Sequence, residues 1–374
     1  MGWRIREHLI TFQKMQLIIN LKIFLSYNFT SIINNFLFIL KKFYSQKLKE
    51  NYYKNFDEKE INVLSILQYS KNFNFHKINV KMFNLKNVNI YSIGLMLDKN
   101  NIPINIFENR NFKKKKKLRY LLPFDIKKKQ TEIKGKTIFF CNPGRNTFNY
   151  FHFLIDFGMQ LFILNQKKIK VDNLVLFSKK NNHREKFVRF FYPKIKFIYC
   201  NKNEFASVQN LIFLSPYFFS AHLNERTTKI FKKYKSFLER KLKLNKSQHS
   251  DKIIFINRQE SRQLNNINNF KKIINFKEVL FSSYQSIKNQ SNAIRKASII
   301  IGLHGAGLTN IIFSNKKAKI VELIPEYYPN SCFERFSETL ELNYKKIILK
   351  KNHFNKTVLS TRDIKEILKF IKKT

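Results

Sequence analysis

The sequence predicts an α/β fold with a parallel sheet in its C-terminal part, and three observations lead to this prediction. Between residues 252 and 325, short apolar runs alternate with amphipathic stretches. Helices between successive apolar strands are typical of βαβ units, which build parallel sheets. Hydrophobic residues make up 44% of the chain and aromatic residues 15%, which suffices for a sizeable core and argues against disorder. The 374 residues suit two domains of moderate size.

The N-terminal segment 1–60 is predicted to be a helical extension that ends in the polar stretch 45–60. Polar side chains interrupt its apolar part, residues 15–40, so no continuous run reaches the roughly 20 residues that a membrane span needs. No small-residue cleavage site of the signal-peptide type is present. We expect one or two helices that are soluble or lie on a membrane surface, with a spanning anchor as the alternative.

Residues 61–247 are predicted to form a first α/β domain. Short β-like runs separated by basic loops continue to residue 140, and a helix is expected over 148–164. Nearly all-apolar runs of the buried-strand type follow at 171–178, 195–200 and 208–215. A long amphipathic helix over 224–245 leads into the polar stretch 245–251, which is the best candidate for a domain boundary.

Residues 248–374 are predicted to form a second domain of regular strand–helix alternation. Strands are expected at 252–258, 277–283, 298–303 and 318–325, with helices at 268–276, 285–297 and 307–314 between them. A closing amphipathic helix is expected over 360–373, with Ser360 or Thr361 as its N-cap.

The chain is strongly basic, with 71 basic and 25 acidic residues and a formal net charge of +46. Such a charge is typical of proteins that bind nucleic acid or an anionic membrane surface. Lys, Asn, Ile and Phe are enriched together, however, and all four have A/T-rich codons, so genome composition accounts for much of the charge. The lysines are scattered through loops and form no recognisable nucleic-acid-reading motif, so nucleic-acid binding is kept only as an alternative.

The three cysteines, Cys141, Cys200 and Cys332, are far apart and odd in number. They exclude a disulfide framework and a Cys-x-x-Cys metal site, which favours a reducing compartment. We therefore expect a cytoplasmic protein, with peripheral association to the cytoplasmic face of an anionic membrane as a further expectation.

A glycine-rich turn is the clearest functional feature. The chain has eight glycines, and three of them lie between Gly302 and Gly307, in the order strand, turn, helix, strand. Gly305 and Gly307 would let a ligand approach the backbone, and the N–H groups at the start of the following helix favour an anion such as a diphosphate. His304 adds a donor, and Glu322 could accept hydrogen bonds from a ribose. A tight structural turn without a ligand is the alternative.

Two arginines lie at the end of the strand 252–258, at the predicted ligand-binding edge of the sheet. Arg258 and Arg262 are four residues apart, and guanidinium groups match phosphate oxygens in a bidentate way. Because the chain uses lysine far more often than arginine, this choice suggests phosphate binding. An ordinary surface pair is the alternative.

A polar pair lies within the apolar helix predicted over 148–164. In an α-helix Asn149, His152 and Asp156 share one face. A His–Asp pair among apolar residues suggests a general base with an orienting partner. A buried hydrogen bond with a structural role only is the alternative.

These segments together resemble glycosyltransferase family 61. The resemblance is carried by "NYFHFLID", "INRQESRQLNN", "GLHGAGLTN" and "IVELIP", and covers roughly residues 85 to 345. The chain departs from the family pattern at Asn257, where a serine is frequent, and at Asn289-Gln290, where Glu-Gln is frequent.

The resemblance implies a GT-B-type fold, with two Rossmann-like domains facing a cleft, the acceptor on the side of residues 61–247 and a nucleotide-sugar donor in residues 248–374. It implies inverting sugar transfer to a hydroxyl of a glycan or lipid-linked acceptor in polysaccharide biosynthesis. Asp156 or His152 would be the catalytic base. The nucleotide-sugar would be bound by Arg258, Arg262, His304, Gly305, Ala306, Gly307, Thr309, Asn310 and Glu322.

The sequence also predicts a reaction without a metal or other cofactor. The chain has seven Asp residues, and no two of them are spaced as Asp-x-Asp. The diphosphate charge would then be neutralised by the helix N-terminus, His304 and the arginines. A non-catalytic relative that only binds a sugar nucleotide is a remaining alternative.

Overall fold

A computed structural model describes the chain from residue 67 onward with gaps. The described residues are 67–75, 78–91, 96–99, 104, 130–140, 149–201, 204–215, 225–244, 250–258, 264–282, 285–328, 330–350 and 357–372. They belong to one compact unit, Ile61–Thr374. The predicted N-terminal extension, Cys141 and Arg262 lie outside the described residues. Within them, no helix is both long and apolar enough to cross a bilayer.

The first sheet of this unit is mixed. Its strands are β1 (Leu67–Phe75), β2 (Ile78–Tyr91), β3 (Met96–Leu97), β4 (Gln130–Phe140), β5 (Asn173–Leu176), β6 (Lys196–Tyr199) and β7 (Phe205–Ser215). The order is β1-β2-β7-β4-β5-β6, with β3 paired to β2. Strands β7, β4, β5 and β6 are mutually parallel, whereas β1, β2 and β3 are paired antiparallel. Only the parallel part is Rossmann-like.

Along the chain, the helices associated with the first sheet connect its strands or follow the last of them. A π-helical segment, His152–Phe157, continues directly into α1 (Gly158–Gln166) after β4. Helix α2 (Asn182–Arg189) connects β5 to β6, and the long α3 (Glu225–Lys241) follows β7. The side chain of Asn181 caps α2 by accepting hydrogen bonds from the N–H groups of His183 and Arg184.

The second sheet is parallel throughout. Its strands are β8 (Ser250–Asn257), β9 (Lys277–Leu280), β10 (Ala297–Leu303), β11 (Lys319–Pro325) and β12 (Asn343–Leu349), in the order β12-β11-β10-β8-β9. The connections contain α4 (Ile267–Ile273), α5 (Ile287–Lys296), a 3-10 helix (Ala306–Phe313) and α6 (Cys332–Leu340), and α7 (Thr361–Lys372) closes the unit. With β8 counted as the first strand, this is the 2-1-3-4-5 order of doubly wound folds.

One hydrophobic cluster fills the space between the two sheets and explains why they form a single compact unit. It contains Leu174 and Ile212 of the first sheet, Ile300 and Ile320 of the second, and apolar side chains of most of the helices. A second cluster covers the far face of the first sheet. A third cluster packs α4 and α7 against the far face of the second sheet. Both faces of the parallel sheet are therefore covered, as its nearly all-apolar strands require.

The predicted alternation is confirmed for β8 to β11, and the predicted α3 and closing helix are also present. The Ser360 hydroxyl accepts from the N–H of Asp363, so Ser360 is the cap of α7. Three features differ from the prediction. The segment after the glycine turn is a 3-10 helix, His152–Phe157 is π-helical, and α6 and β12 were not predicted at all. The predicted two-domain GT-B arrangement stays a prediction.

Candidate functional site

The site predicted for a ligand lies at the switch point of the parallel sheet. In the 2-1-3-4-5 order, the connections from β8 and β10 leave in opposite directions, and such crevices at the carboxyl ends of strands bind ligands. Arg258 follows β8 and His304 follows β10. Nη1 of Arg258 donates a hydrogen bond to the carbonyl oxygen of His304 at 3.1 Å, so the arginine closes this crevice. The N–H of Arg258 is held by Oδ1 of Asn257 at 2.8 Å.

Close packing explains two of the three clustered glycines. A Cβ atom at Gly302 would lie 2.8 Å from a methyl carbon of Leu308, and one at Gly307 would lie 2.9 Å from Cγ2 of Ile256. Both distances are shorter than carbon atoms tolerate. These glycines therefore let the 3-10 helix lie directly on the sheet.

Gly305 has a different neighbour, the guanidinium group of Arg258. A Cβ atom at Gly305 would lie 1.7 Å from Nη1 of Arg258. The φ of Gly305 is 166°, which is extended backbone open to any residue. The glycine is therefore required by the position of the arginine and not by backbone strain. In this structure the space that we attributed to a ligand above Gly305 is occupied by Arg258.

His304 is the end of a hydrogen-bonded relay whose central carboxylate is buried. Its Nδ1 lies 2.5 Å from Oε1 of Glu322, and the hydroxyl of Tyr344 donates to Oε2 of the same carboxylate at 2.5 Å. Glu322 has no exposed surface. Burial and the neighbouring Glu322 carboxylate raise the pKa of Tyr344, so its hydroxyl keeps its proton and remains a donor. We had expected the Glu322 carboxylate to accept hydrogen bonds from a ribose. With both oxygens engaged, it is instead placed to orient His304.

Removal of the Tyr344 hydroxyl tests this relay. In Tyr344→Phe we expect the affinity for a nucleoside diphosphate to fall about threefold to tenfold, because one hydrogen bond to a charged group is lost. We also expect the tautomers of His304 to mix, which ¹⁵N NMR of ring-labelled histidine would detect. Tyr192→Phe is the matched control, since the Tyr192 hydroxyl donates to the backbone of Ile169. An unchanged His304 spectrum in Tyr344→Phe would contradict the relay.

The second predicted pair, His152 and Asp156, lies in the π-helical segment. Nδ1 of His152 lies 2.6 Å from Oδ2 of Asp156. The Asp156 side chain is 2% exposed, whereas that of His152 is 18% exposed. A π-helical turn is wider than an α-helical turn, and such turns occur frequently at functional sites. A molecule in solution can therefore reach the imidazole more easily than the carboxylate.

The π-helical segment is held from α3. The hydroxyl of Tyr234 donates to the carbonyl oxygen of Leu154 at 2.5 Å. A Cβ atom at Gly158 would lie 2.0 Å from this hydroxyl oxygen, so only glycine allows the tyrosine to approach. Asn149 does not join the His–Asp pair. Its Oδ1 accepts from the N–H of Phe151 at 2.9 Å, at the start of the helix.

A buried hydrogen-bonded bridge joins the two predicted sites. The Tyr150 hydroxyl donates to Oδ1 of Asn310 in the 3-10 helix at 2.9 Å, across 160 residues of sequence. Nδ2 of Asn310 donates to the Gly307 carbonyl at 3.1 Å and to Oε1 of Gln290 at 3.2 Å. Tyr150 and Asn310 are buried, and burial raises the pKa of Tyr150 so that it stays a donor. The bridge sets the spacing between the His152 segment and the glycine turn.

Aromatic rings connect the two histidines themselves. The His152 ring lies 5.3 Å from that of Phe151, Phe151 lies 5.6 Å from Phe333, and Phe333 lies 5.5 Å from His304, measured between ring centroids. The ring of Tyr328 lies 5.3 Å from that of His304. A continuous path of packed rings therefore links the His152–Asp156 pair of the π-helical segment to the His304–Glu322 pair of the second sheet.

The structure thus brings together most of the residues that the sequence suggested. His152, Asp156, Arg258, His304, Gly305 and Glu322 lie in this site, while Thr309 and Asn310 are fully buried and make internal hydrogen bonds. Ala306 and Gly307 keep partial exposure at the start of the 3-10 helix, where N–H groups lack partners within the helix. Tyr150 was part of a quoted motif, but nothing in the sequence indicated Tyr344, Tyr234 or Phe333.

Other features of the described residues add no further candidate for the transfer chemistry. No three His, Cys, Asp or Glu side chains among them gather into a metal-binding group. A groove of about 700 Å³ is open beside α3, and its lining includes four basic side chains but neither histidine of the site. The lining residues are Phe162, Gln166, Thr228, Lys229, Lys232, Lys233, Ser236, Phe237 and Arg240.

Comparison with known proteins supports the family that the motifs suggested. Residues 150–321 match the family model described as Glycosyltransferase 61. The resemblance is therefore confirmed over this range, which contains His152, Asp156, Arg258 and the glycine turn. Tyr344 lies beyond it.

Two curated plant proteins match shorter parts of the chain. A stretch of 67 residues is 36% identical to Beta-1,2-xylosyltransferase RCN11 of Oryza sativa subsp. japonica and covers 18% of this chain and 13% of that protein. A stretch of 62 residues is 39% identical to Beta-1,2-xylosyltransferase of Arabidopsis thaliana and covers 17% and 12%. The matches span about an eighth of the length of these relatives. Together with the family model, they support a glycosyltransferase.

Proposed function

We propose that this protein transfers a sugar from a nucleotide-sugar donor to a hydroxyl of a glycan or lipid-linked acceptor, with inversion at the sugar carbon. The observation that carries this proposal is the Tyr150–Asn310 bridge. It links the start of the helix that carries the His152–Asp156 pair to the 3-10 helix that follows the glycine turn at the switch point of the parallel sheet. A direct displacement needs a base on one side of the reacting carbon and a stabilised leaving group on the other. The two halves of the site supply these two functions.

His152 is the base in this proposal, and Asp156 orients it. The acceptor hydroxyl is deprotonated as its oxygen attacks the sugar carbon, and the proton moves to the imidazole. The Asp156 carboxylate, 2.6 Å from Nδ1, holds the ring and stabilises the imidazolium that forms. The greater exposure of His152 supports this assignment over direct action of Asp156, which is nearly fully buried.

The leaving diphosphate is stabilised by Arg258, His304 and the N–H groups at the start of the 3-10 helix. The guanidinium group of Arg258 is fixed by the His304 carbonyl and carries further N–H donors. The imidazole of His304 is oriented by Glu322. Fixed donors of this kind stabilise developing charge without reorganisation during the reaction.

Xylose is one donor sugar to test, because both plant relatives carry xylosyltransferase in their names. The experiment measures binding of UDP, GDP, CMP and single-stranded DNA by thermal shift, followed by turnover of the sugar nucleotides that carry the tightest-binding base. A response to a nucleotide and release of that nucleotide with a glycan acceptor are expected. A response to DNA alone would identify a nucleic-acid-binding protein instead.

Turnover is expected to be independent of divalent metal. The chain lacks an Asp-x-Asp motif, and we propose that the positive charge of Arg258 and hydrogen bonds from His304 stabilise the diphosphate in place of a metal. Once a donor and acceptor have been identified, excess EDTA should leave the rate within about twofold of its value without EDTA. Loss of activity that Mn²⁺ restores would refute this expectation.

A further inference from the structure

We infer that the nucleoside half of the donor binds over the carboxyl end of β11, where Glu326 accepts hydrogen bonds from ribose hydroxyls and the Tyr328 ring packs against the nucleoside. This inference rests on the proposed function, since it assigns one end of the same donor. Glu326 takes the ribose-binding role that the sequence suggested for Glu322, because the Glu322 carboxylate is fully buried and engaged by His304 and Tyr344.

The position of Glu326 fits that of a ribose-binding carboxylate. In dinucleotide-binding units, the carboxylate that binds ribose follows the strand after the glycine-rich turn, about 20 residues further along the chain. Here β10 carries the turn and β11 is the next strand, paired parallel to β10. Glu326 is the first residue after β11 and is exposed. It follows Gly305 by 21 residues.

The backbone around Glu326 is held in place. Its N–H donates to the carbonyl of Leu349 in β12 at 2.9 Å, and the N–H of Tyr328 donates to the carbonyl of Pro325 at 2.9 Å. The N–H of His304 donates to the carbonyl of Leu323 at 2.8 Å. The glycine turn and the segment 326–328 are therefore fixed to the same edge of the sheet, and the subsite does not need to be built when the ligand binds.

Tyr328 offers an exposed ring beside His304. It is 36% exposed, and its ring centroid lies 5.3 Å from that of His304, the proposed contact of the diphosphate. The planar base of a nucleoside joined to that diphosphate has an aromatic surface to pack against. Among the described residues, Phe333 also packs its ring against His304, and Phe333 leads through Phe151 to His152. That direction is needed for the sugar being transferred, so the nucleoside is assigned to the Tyr328 side.

The charge of Glu326 also favours the ribose. Glu326 is an exposed acidic side chain in a chain with a net charge of +46, and it lies next to a site proposed to bind a dianionic group. A carboxylate there repels phosphate but accepts hydrogen bonds from a neutral diol. It would therefore direct the ribose, and not the diphosphate, to the end of β11, while Arg258 directs the diphosphate to the switch point.

The test compares three probes on the full chain by isothermal titration calorimetry. They are the tightest-binding nucleoside diphosphate among UDP, GDP and CDP, its 2′,3′-dideoxy form, and inorganic pyrophosphate. In Glu326→Gln, affinity for the nucleoside diphosphate should fall about fivefold to tenfold. Affinity for the dideoxy form should not fall, and pyrophosphate should bind equally well or more tightly because a negative charge is removed. Glu132→Gln, at an exposed glutamate of β4, is the matched control.

Tyr328 is tested with two substitutions at the same position. Tyr328→Phe keeps the ring and should bind the nucleoside diphosphate like the wild type, whereas Tyr328→Ala should lose about tenfold. Pyrophosphate binding should stay unchanged in both variants. Suppose that the wild type binds both the nucleoside diphosphate and pyrophosphate. If Glu326→Gln then weakens binding of the nucleoside diphosphate and of its dideoxy form equally, or weakens binding of neither, the inference fails and the proposed function stands. A wild type that binds none of the probes would overturn both.

Discussion

Replacing His152 with alanine is expected to lower the rate of sugar transfer by about 10²–10⁴-fold, the contribution of a general base. Affinity for the nucleoside diphosphate should stay close to the wild-type value, because the donor contacts belong to the second sheet. Asp156→Asn should retain more activity than His152→Ala, since the asparagine keeps the side-chain size but orients the imidazole less well. Measurements of transfer rate, donor affinity and melting temperature on both variants check these expectations.

His183→Ala is the matched control for the histidine substitution. His183 lies outside the site, in α2, which connects two strands of the first sheet. A purely structural His152–Asp156 pair would give a different result. Both variants would then lose about 1–3 kcal/mol of stability from an orphaned buried partner, and donor affinity would fall together with activity. Two stable variants with wild-type transfer rates would exclude the π-helical segment from the active site.

Replacing Gly305 with alanine is expected to weaken binding of the nucleoside diphosphate by tenfold or more, about 1.4 kcal/mol. The new methyl group would take the position of Nη1 of Arg258, which lies 1.7 Å from a Cβ atom built at this glycine. The flexible end of the arginine can move away, and the backbone of Gly305 is extended, so the variant should fold. The loss would come from the displaced guanidinium group, and Gly305→Val should show the same effect more strongly.

A double-mutant cycle isolates this mechanism. Arg258→Ala should weaken nucleoside diphosphate binding about as much as Gly305→Ala, and the combined variant should be little worse than either single variant, because both remove the same contact. Arg258→Lys keeps the charge and loses the planar guanidinium group, so its affinity for the nucleoside diphosphate should lie between those of the wild type and Arg258→Ala. Arg189→Lys, at an arginine of α2 that bonds the Pro193 carbonyl, is the control. Additive losses would show that Gly305 and the arginine act separately.

The parallel sheet could be predicted because its signals are local. The apolar runs of β8, β10 and β11 are each covered on both faces, and buried parallel strands read as continuous apolar sequence. The alternation with amphipathic helices then implies βαβ units. The same reasoning overlooked β12, whose residues alternate between exposed and buried positions at the edge of the sheet. It therefore overlooked Tyr344 as well.

The residue types of the candidate site could also be predicted, because chemistry restricts them. Phosphate binding calls for arginine and free N–H groups, and proton transfer calls for an imidazole beside a carboxylate. The partner of each residue could not be predicted in the same way. Glu322 was expected to meet a ribose, and the structure engages it with His304 and Tyr344. Gly305 was expected to meet a ligand, and the structure places Arg258 against it.

What the sequence by itself determined about this protein is most of the strands and helices around the second sheet and the residue types at their ends, since periodicity and local chemistry are properties of neighbouring residues. Only the tertiary structure decided that β10 lies between β8 and β11, which creates the switch point at Arg258 and His304. It alone brought Tyr150 to Asn310 and showed that His152 is more exposed than Asp156. These facts depend on strand order and on burial between two sheets. Both arise from contacts between residues far apart in the chain, which no local pattern records.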